Sequence, residues 1–290
     1  MTDEEAPPPE GNGVIRASGT FAKFAFGLVS EAGPLRDHNE DCAGAFVSTA
    51  PDDAWDRGPI FVVADGMGGH AAGEVASRLA VDTVIDRWTS RDPLTPPQGL
   101  RTAARAANEQ IMQVALEPGK RGMGTTLLAC ALAGHDAHIA HVGDSRAYLV
   151  RDGECRQLTN DHSRVGEMMR MRLITPEQAA THPARSQLTQ SIGADPLVRV
   201  DLIREPCRAG DVFVLCCDGI WDVLTRPEIA DFAGELGHTL RHAGELAEYL
   251  VDTAIKRQSA DNVTALVVQV TSDQPVPPAV RRSLFSRRRS

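Results

Sequence analysis

Residues 126–142 read Thr-Leu-Leu-Ala-Cys-Ala-Leu-Ala-Gly-His-Asp-Ala-His-Ile-Ala-His-Val. Two apolar runs of this stretch, Thr126–Ala133 and His138–Val142, have the composition of β-strands. The turn between them contains Gly134-His-Asp136 and is too short for a crossover helix, so the two strands must be antiparallel. The turn Arg151-Asp-Gly-Glu154 leads to the same conclusion further along the chain.

The remaining segments extend this pattern to the whole chain. Further strands are predicted at Ala25–Ser30, Ile60–Ala64, Ala147–Arg151, Val198–Arg204, Val212–Cys217 and Val263–Val270. Apolar residues with a 3.6-residue period predict helices over about 73–89, 98–116 and 240–257. Helices with one apolar face beside antiparallel strands indicate a layered α+β fold.

The domain boundaries follow from composition. No linker-like stretch or repeat interrupts residues 22–271, which predicts one domain there. The acidic, proline-rich segment 1–21 is expected to be loose, and the basic tail 272–290 to be disordered. A solvated end is the simpler interpretation of this tail, with contact to an acidic partner or a membrane surface as the alternative.

Charge and hydropathy argue against a nucleic-acid-binding protein and against a membrane-spanning one. Residues 274–290 contain five of the 30 basic residues and no acidic residue, so the rest of the chain has 25 basic and 39 acidic residues, a formal charge of −14. Such a body does not attract nucleic acid. The apolar runs are far shorter than the roughly 20 residues of a membrane span, and no signal peptide is present, so a cytoplasmic protein is expected.

Residues 61–75, Phe-Val-Val-Ala-Asp-Gly-Met-Gly-Gly-His-Ala-Ala-Gly-Glu-Val, are an apolar strand that runs into a glycine-rich turn. The glycines match a dinucleotide-binding pattern, in which backbone amides approach a pyrophosphate. Asp65 opposes that interpretation, since its carboxylate would face a phosphate with no cation between them. A phosphate loop and a metal site are the two alternatives.

Other carboxylates follow strands in the same way. Asp144, Asp218 and Asp261 lie at strand ends or in the adjacent turns, and Glu40 and Asp41 follow Arg36. Each alone is most simply a turn or capping residue. If they converge, they must be protonated or held together by cations, and cations are the simpler answer. Oxygen ligands without organised histidines favour Mg²⁺ or Mn²⁺.

The sequence lacks the motifs of several other enzyme classes. No cysteine is followed six positions later by arginine, so the loop of cysteine-based phosphatases is missing. The H-E-x-x-H and G-x-x-x-x-G-K-[ST] motifs are also absent.

Six short motifs occur in one order along about residues 24–270. They are Arg36-Asp-His-Asn-Glu-Asp41, Asp65-Gly-Met-Gly-Gly-His70, Gly124-Thr-Thr126, Gly143-Asp-Ser-Arg146, Cys217-Asp-Gly-Ile-Trp-Asp222 and Asp261-Asn-Val-Thr264. As an ordered set they resemble bacterial metal-dependent serine/threonine protein phosphatases of the 2C type, the PPM family. The resemblance implies a four-layer α-β-β-α sandwich with two central antiparallel sheets flanked by helices.

The resemblance also implies roles for individual residues. Asp65 matches the ligand that bridges two metals, the Gly66 carbonyl a ligand of the second metal, and Asp218 and Asp261 ligands of the first. Asp144, with Ser186, matches the site of a third, weaker ion found in bacterial members. Glu40 and Asp41 match residues near the cluster that act partly through water, and Arg36 matches the arginine that binds the substrate phosphate.

The implied reaction is hydrolysis of phosphoserine and phosphothreonine in proteins by a metal-activated water, with two or three Mn²⁺ or Mg²⁺ ions and no covalent phosphoenzyme. The implied partners are phosphorylated proteins, including an opposing bacterial Ser/Thr kinase or its substrates, and a monomer is expected. Met67 stands where animal members have a histidine, with His70 three residues later, so the general acid is left unassigned. His162 and residues 160–190 match the mobile flap beside the site, which is expected to help select substrates.

Two rival functions stay open at this point. One is a catalytically silent member of the same fold that binds a partner, and the other is a dinucleotide-dependent enzyme. The complete set of metal carboxylates and the phosphate-binding arginine favour the active phosphatase over the silent module, and failure to bind NAD analogues would remove the dinucleotide enzyme.

Overall fold

The computed structural model of the chain describes residues 14–21, 23–47, 57–68, 72–90, 92, 94–235 and 242–273. In chain order its strands are β1 (Ile15–Thr20), β2 (Phe24–Glu31), β3 (Asp41–Phe46), β4 (Ile60–Met67), β5 (Gly124–Thr125), β6 (Leu127–Ala133), β7 (Asp136–Val142), β8 (Arg146–Arg151), β9 (Glu154–Gln157), β10 (Asp201–Pro206), β11 (Val212–Cys216) and β12 (Val263–Val270). Its helices are α1 (Ala72–Thr89), α2 (Pro96–Val114), α3 (Arg164–Arg170), α4 (Pro176–Ala180), α5 (Asp218–Trp221), α6 (Arg226–Glu235) and α7 (His242–Lys256).

The strands form two antiparallel sheets. The first has the order β1-β2-β12-β11-β8-β9, and the second has the order β10-β7-β6-β4-β3 with β5 paired to β4. The hairpin predicted from residues 126–142 is present, with β6 and β7 paired from Leu127 opposite Val142 to Ala133 opposite Asp136.

The two sheets pack face to face, and helices cover their outer faces. Phe61 of the second sheet contacts Phe24 and Phe26 of the first, with ring centroids 5.8 and 5.5 Å apart. Helices α1 and α2 pack on the second sheet, and α6 and α7 pack on the first. Strand β12 alternates accordingly: Leu266 belongs to the core between the sheets and Val267 to the core under α7. The predicted α-β-β-α sandwich is therefore confirmed.

The local predictions succeed where apolar periodicity is strong. All eight predicted strands are present, although the one expected at Val198–Arg204 begins only at Asp201. Helices α1, α2 and α7 lie within two residues of the predicted bounds. At the start of α4, Thr175 and Gln178 form a capping box, and Pro176 occupies the first helical position.

The prediction that residues 1–21 are loose is wrong for Ile15–Thr20. These residues form β1, which pairs with β2 along its whole length. An edge strand with alternating polar residues has a weak local signal, so the pairing with β2 decides its conformation. Residues 1–13 and the arginine tail 274–290 lie outside the described residues. No described helix is long and apolar enough to span a membrane.

Candidate active site

The acidic motifs meet at one edge of the sandwich because of the strand pairing. Asp41, the first residue of β3, lies opposite Asp65 near the end of β4. In the first sheet, β11 leads directly to Asp218, and Asp261 precedes β12, the antiparallel partner of β11. Asp144 lies in the turn between β7 and β8, which joins the two sheets. The topology thus collects carboxylates from distant segments of the chain.

A cavity of about 580 Å³ opens at this edge. It is lined by eight of the residues that the family resemblance singles out, which are Arg36, Glu40, Asp65, Gly66, Asp144, Ser186, Asp218 and Asp261. Other lining residues include Leu35, His38, Met67, Thr126 and Leu188. Asp41 lies beneath this surface and is buried.

The carboxylates repel one another strongly. Burial raises the pKa of Asp65 well above its ordinary value, and repulsion from neighbouring carboxylates raises it further. These neighbours are Asp41, Asp218, Asp144 and Asp261. Burial, followed by repulsion from Asp144, likewise raises the pKa of Asp218. Burial is the first cause that raises the pKa of Asp144, to about 7. Such a cluster is stabilised by any cation that enters it.

The donor set fits hard divalent cations. Asp218 Oδ1 is buried and has no hydrogen-bond partner within the described part of the chain, so it is available to a ligand. The surrounding donors are carboxylate, carbonyl and hydroxyl oxygens, which Mg²⁺ and Mn²⁺ prefer. No three acidic, histidine or cysteine side chains among the described residues are already arranged around a common point. Two carboxylates are in fact turned to protein partners, Asp261 to Arg36 and Asp41 to Thr264.

Arg36 lies at the mouth of the cavity. Its Nη2 donates to Asp261 Oδ2 over 2.6 Å, and its Nε donates to the Ala260 carbonyl over 3.1 Å. The Arg36 side chain is 47 % exposed, so solvent and ligands reach the guanidinium. Arg36 therefore faces the cavity while it holds one of the predicted metal ligands.

Asp41 belongs to a buried network that links the two sheets. Its Oδ2 accepts from Thr264 Oγ1 over 2.6 Å, and Thr264 Oγ1 lies 2.7 Å from Ser30 Oγ. Asn39 completes the network by donating to Ser30 Oγ. Burial raises the pKa of Asp41 to about 6, although the bond from Thr264 lowers it.

Gly66 is required by close packing at the end of β4. A Cβ atom at this position would lie 2.2 Å from the Gly73 carbonyl oxygen and 2.4 Å from the Glu40 carbonyl oxygen. Real Cβ atoms do not approach backbone so closely, so only glycine lets β4 meet the start of α1 and the segment before β3. Gly66 and Glu40 both line the cavity.

His162 lies at the start of residues 160–190, the predicted flap, and its side chain is buried. It is 3 % exposed and does not line the cavity. Its Nδ1 accepts from the Gly143 N–H over 3.2 Å, its Nε2 lies 3.2 Å from Asp201 Oδ2, and its ring packs on His141. These contacts give His162 a structural role, and substrate selection by residues 160–190 stays a prediction. Ser186, in contrast, does line the cavity.

Asn262 is a site residue that the sequence reasoning missed. Its Nδ2 donates to the carbonyls of Ala32 and His38, and its Oδ1 accepts from the Glu40 N–H over 2.8 Å. These bonds hold the segment that carries Arg36 and Glu40 against the start of β12. Its position directly after Asp261 was visible in the sequence, but its partners lie more than 200 residues away.

Comparison with known proteins agrees with this geometry. Residues 47–253 match the family model described as protein phosphatase 2C. The serine/threonine phosphatase stp of Listeria welshimeri is 37 % identical over 245 residues, which cover 83 % of this chain and 93 % of that protein.

Solved structures show the same relationship. The crystal structure of the Mycobacterium tuberculosis serine/threonine phosphatase PstP/Ppp superposes with a TM-score of 0.74 at 35 % identity, covering 86 % of this chain and 99 % of that one. A structure of the PstP catalytic domain in complex with two manganese ions gives a TM-score of 0.73 at 34 % identity, with the same coverage. The family match spans most of the chain, and the relative and the structures named above align over more than nine-tenths of their own length. This chain therefore belongs to the protein phosphatase 2C family.

Proposed function

We propose that this protein is a divalent-cation-dependent phosphatase that hydrolyses phosphoserine and phosphothreonine in proteins. The observation that carries the proposal is the convergence of Asp65, Asp144, Asp218 and Asp261 on one cavity that Arg36 also lines. Membership of the protein phosphatase 2C family supports the same reaction.

The cavity residues are assigned as follows. Asp65, the Gly66 carbonyl, Asp218 and Asp261 would hold a pair of divalent cations. Asp144, with Ser186, would hold a third ion, and Glu40 and Asp41 would act near the cluster, partly through water. The orphaned Asp218 Oδ1 and the mutual repulsion of the carboxylates support this assignment. The two manganese ions in the PstP complex support Mn²⁺ or Mg²⁺ as the cofactor.

The protein contributes orientation and charge to the reaction. Bound divalent cations lower the pKa of water and neutralise phosphoryl charge. Arg36 offers a permanently charged planar fork for the phosphate oxygens, and it must exchange Asp261 for the substrate to do so. The carboxylate of Asp65, near the end of β4, would orient the bound cations and their water.

A covalent cysteine intermediate is not supported. Cys217, directly before Asp218, is buried, and burial together with the neighbouring aspartates raises the pKa of its thiol well above the ordinary value. A thiol in this environment stays protonated and is a poor nucleophile. Direct attack by water, without a phosphoenzyme, is therefore the proposed route, and the general acid is left unassigned.

The partners follow from the reaction. We infer that the substrates are phosphorylated proteins and that a Ser/Thr kinase, or its substrates, are among them. The same proposal includes a monomeric protein in the cytoplasm. Neither nucleic acid nor a membrane is expected as a partner.

The proposal is tested by phosphate release from a phosphothreonine peptide, with Mn²⁺ or Mg²⁺ and with or without a chelator. Wild type is compared with Asp218→Asn and with Asp152→Asn, a control at an exposed turn residue that does not line the cavity. Cation-dependent release that Asp218→Asn loses and Asp152→Asn keeps is expected. A folded, cation-loaded wild type that releases no phosphate from several phosphopeptides would instead identify a silent binding module of the same fold.

A further inference from the structure

Thr126 lies directly opposite Asp65 in the second sheet. Strand β4 pairs with β6 from Ile60 to Val63 and with β5 at Gly66 and Met67, and the register is the same in both pairings. Thr126 falls between the two partner strands. Its N–H donates to the Asp65 carbonyl over 2.9 Å, while the Asp65 N–H donates to the Thr126 hydroxyl Oγ1, also over 2.9 Å.

The Thr126 hydroxyl thus takes the place of a backbone acceptor at Asp65. Because Oγ1 accepts this bond, its own proton is available to a second group, and Ser145 Oγ lies 2.8 Å away. Thr126 and Ser145 are both almost completely buried, so water does not substitute for these bonds easily. Ser145 is the residue that follows Asp144.

The methyl group of Thr126 contacts the other neighbour of Asp144. Gly143 has a φ of +110°, and a Cβ there would lie 2.6 Å from Thr126 Cγ2. Thr126 therefore meets the residues on both sides of Asp144, through its methyl group at Gly143 and its hydroxyl at Ser145. Through the same hydroxyl it also holds the backbone of Asp65.

We propose that Thr126 is a positioning residue that sets the distance between Asp65 and Asp144, and so couples the paired cation site to the third one. The inference rests on the cation assignment of the proposed function. Asp65 lies near the end of a strand of the second sheet, whereas Asp144 lies in the turn that leads to the first. The buried hydroxyl of Thr126 connects these two segments.

Two substitutions separate the hydroxyl from the bulk of the side chain. Thr126→Val puts a methyl group where Oγ1 lies, 2.9 Å from the Asp65 nitrogen. A carbon atom needs roughly 3.5 Å of separation, so the backbones of Asp65 and residue 126 must move apart. The substitution also leaves a buried N–H without an acceptor. Thr126→Ser keeps the hydroxyl and loses only the methyl contact with Gly143.

The test is calorimetric titration of each folded, metal-free variant with Mn²⁺. Removal of a group that orients a metal ligand typically weakens affinity about 10- to 100-fold, which is the loss expected for Thr126→Val. Thr126→Ser is expected to stay within about threefold of wild type. The matched control is Thr159→Val, which removes another buried hydroxyl that accepts a backbone N–H, from Ala147, and should leave Mn²⁺ affinity unchanged.

Ser145→Ala provides a second route if Thr126→Val does not fold. It removes the link to the Asp144 turn but leaves the bond from Asp65 to Thr126, so we expect a smaller, several-fold loss of Mn²⁺ affinity.

Unchanged affinity in Thr126→Val, or in Ser145→Ala should Thr126→Val not fold, overturns the inference while the proposed function stands. Equal losses in Thr126→Val and Thr126→Ser also overturn it, since the hydroxyl would then not be the cause. If wild type itself binds no Mn²⁺, the cation site of the proposed function fails, and this inference fails with it.

Discussion

Arg36 Nη2 and Asp261 Oδ2 form a 2.6 Å ion pair at the mouth of the cavity, between residues 225 positions apart in the chain. One partner is the proposed phosphate ligand and the other a proposed metal ligand. The pair therefore holds together two groups that must separate when cations and a phosphoryl group bind. Both side chains are at least one-third exposed, so the pair itself adds little stability.

Arg36→Ala is predicted to lower kcat/KM for a phosphothreonine peptide by about 100-fold or more, because a fixed donor to the transition state is lost. Thermal stability should change by less than about 1 kcal/mol, as expected for an exposed ion pair. Steady-state kinetics and thermal unfolding measure the two effects. Arg204→Ala, which breaks an exposed ion pair with Asp136 on another part of the surface, should change neither. Equal kinetics in the two variants would contradict the role of Arg36.

Asp218→Asn is predicted to separate stability from cation binding. The variant removes one charge from a cluster of repelling carboxylates, so the metal-free protein should be at least as stable as wild type. It should at the same time lose the stabilisation by Mn²⁺, which for wild type is about 2.7 kcal/mol at a hundredfold excess over Kd. Thermal unfolding with chelator and with Mn²⁺ measures both quantities. An unchanged Mn²⁺ shift in Asp218→Asn would show that Asp218 is not a ligand.

The stability of the metal-free protein is predicted to fall as pH rises from about 4 to about 7. The folded-state pKa is raised to about 6 for Asp41 and about 7 for Asp144, from a model-compound value of 3.8. The native state therefore binds more protons than the unfolded state in this window, and their loss destabilises it. The pKa of Glu228 is lowered to about 2 and that of buried His141 to about 3, so these two groups oppose the trend, Glu228 up to about pH 5 and His141 up to about pH 6.5. The raised pKa values of Asp65 and Asp218 add to the fall, so the carboxylates with raised pKa values outweigh these two groups.

Cations should reverse this trend, because they compete with protons for the same carboxylates. Thermal unfolding across this pH range, with chelator and with Mn²⁺, tests the prediction. The Mn²⁺-induced gain in stability should grow with pH. A chelated protein that becomes more stable from pH 5 to pH 7 would argue against the raised pKa values.

His162→Ala is predicted to destabilise the protein by about 1–3 kcal/mol, since it leaves the buried Gly143 N–H without its acceptor. The ratio of kcat/KM values for two different phosphopeptides should not change, because His162 does not line the cavity. Chemical denaturation and peptide kinetics provide the readouts. His135→Ala, at an exposed histidine, is the control and should stay within about 0.5 kcal/mol of wild type. A change in peptide preference without loss of stability would show that His162 itself contributes to substrate selection.

Local patterns were sufficient for the architecture. The short turns of the β6–β7 and β8–β9 hairpins require antiparallel neighbours, and the one-sided apolar faces of α1, α2 and α7 require a sheet to cover. Neighbouring residues show that the carboxylates lie at strand ends, and the family resemblance of the ordered motifs implied which of them would converge. The sequence did not predict strand β1. The conformation of an edge strand with alternating polar residues depends on pairing with its neighbour more than on its own residues.

The fine structure of the site depends on contacts between distant segments. Asp261 as the partner of Arg36, the burial of His162 against Gly143, and the Thr126 bridge between Asp65 and Ser145 all join residues 19 to 225 positions apart. Hydrogen bonds of this kind form only after the sheets have packed, and their geometry is set by strand register and burial rather than by local propensity. The sequence therefore indicated the candidate site residues, whereas tertiary packing determined which groups they contact.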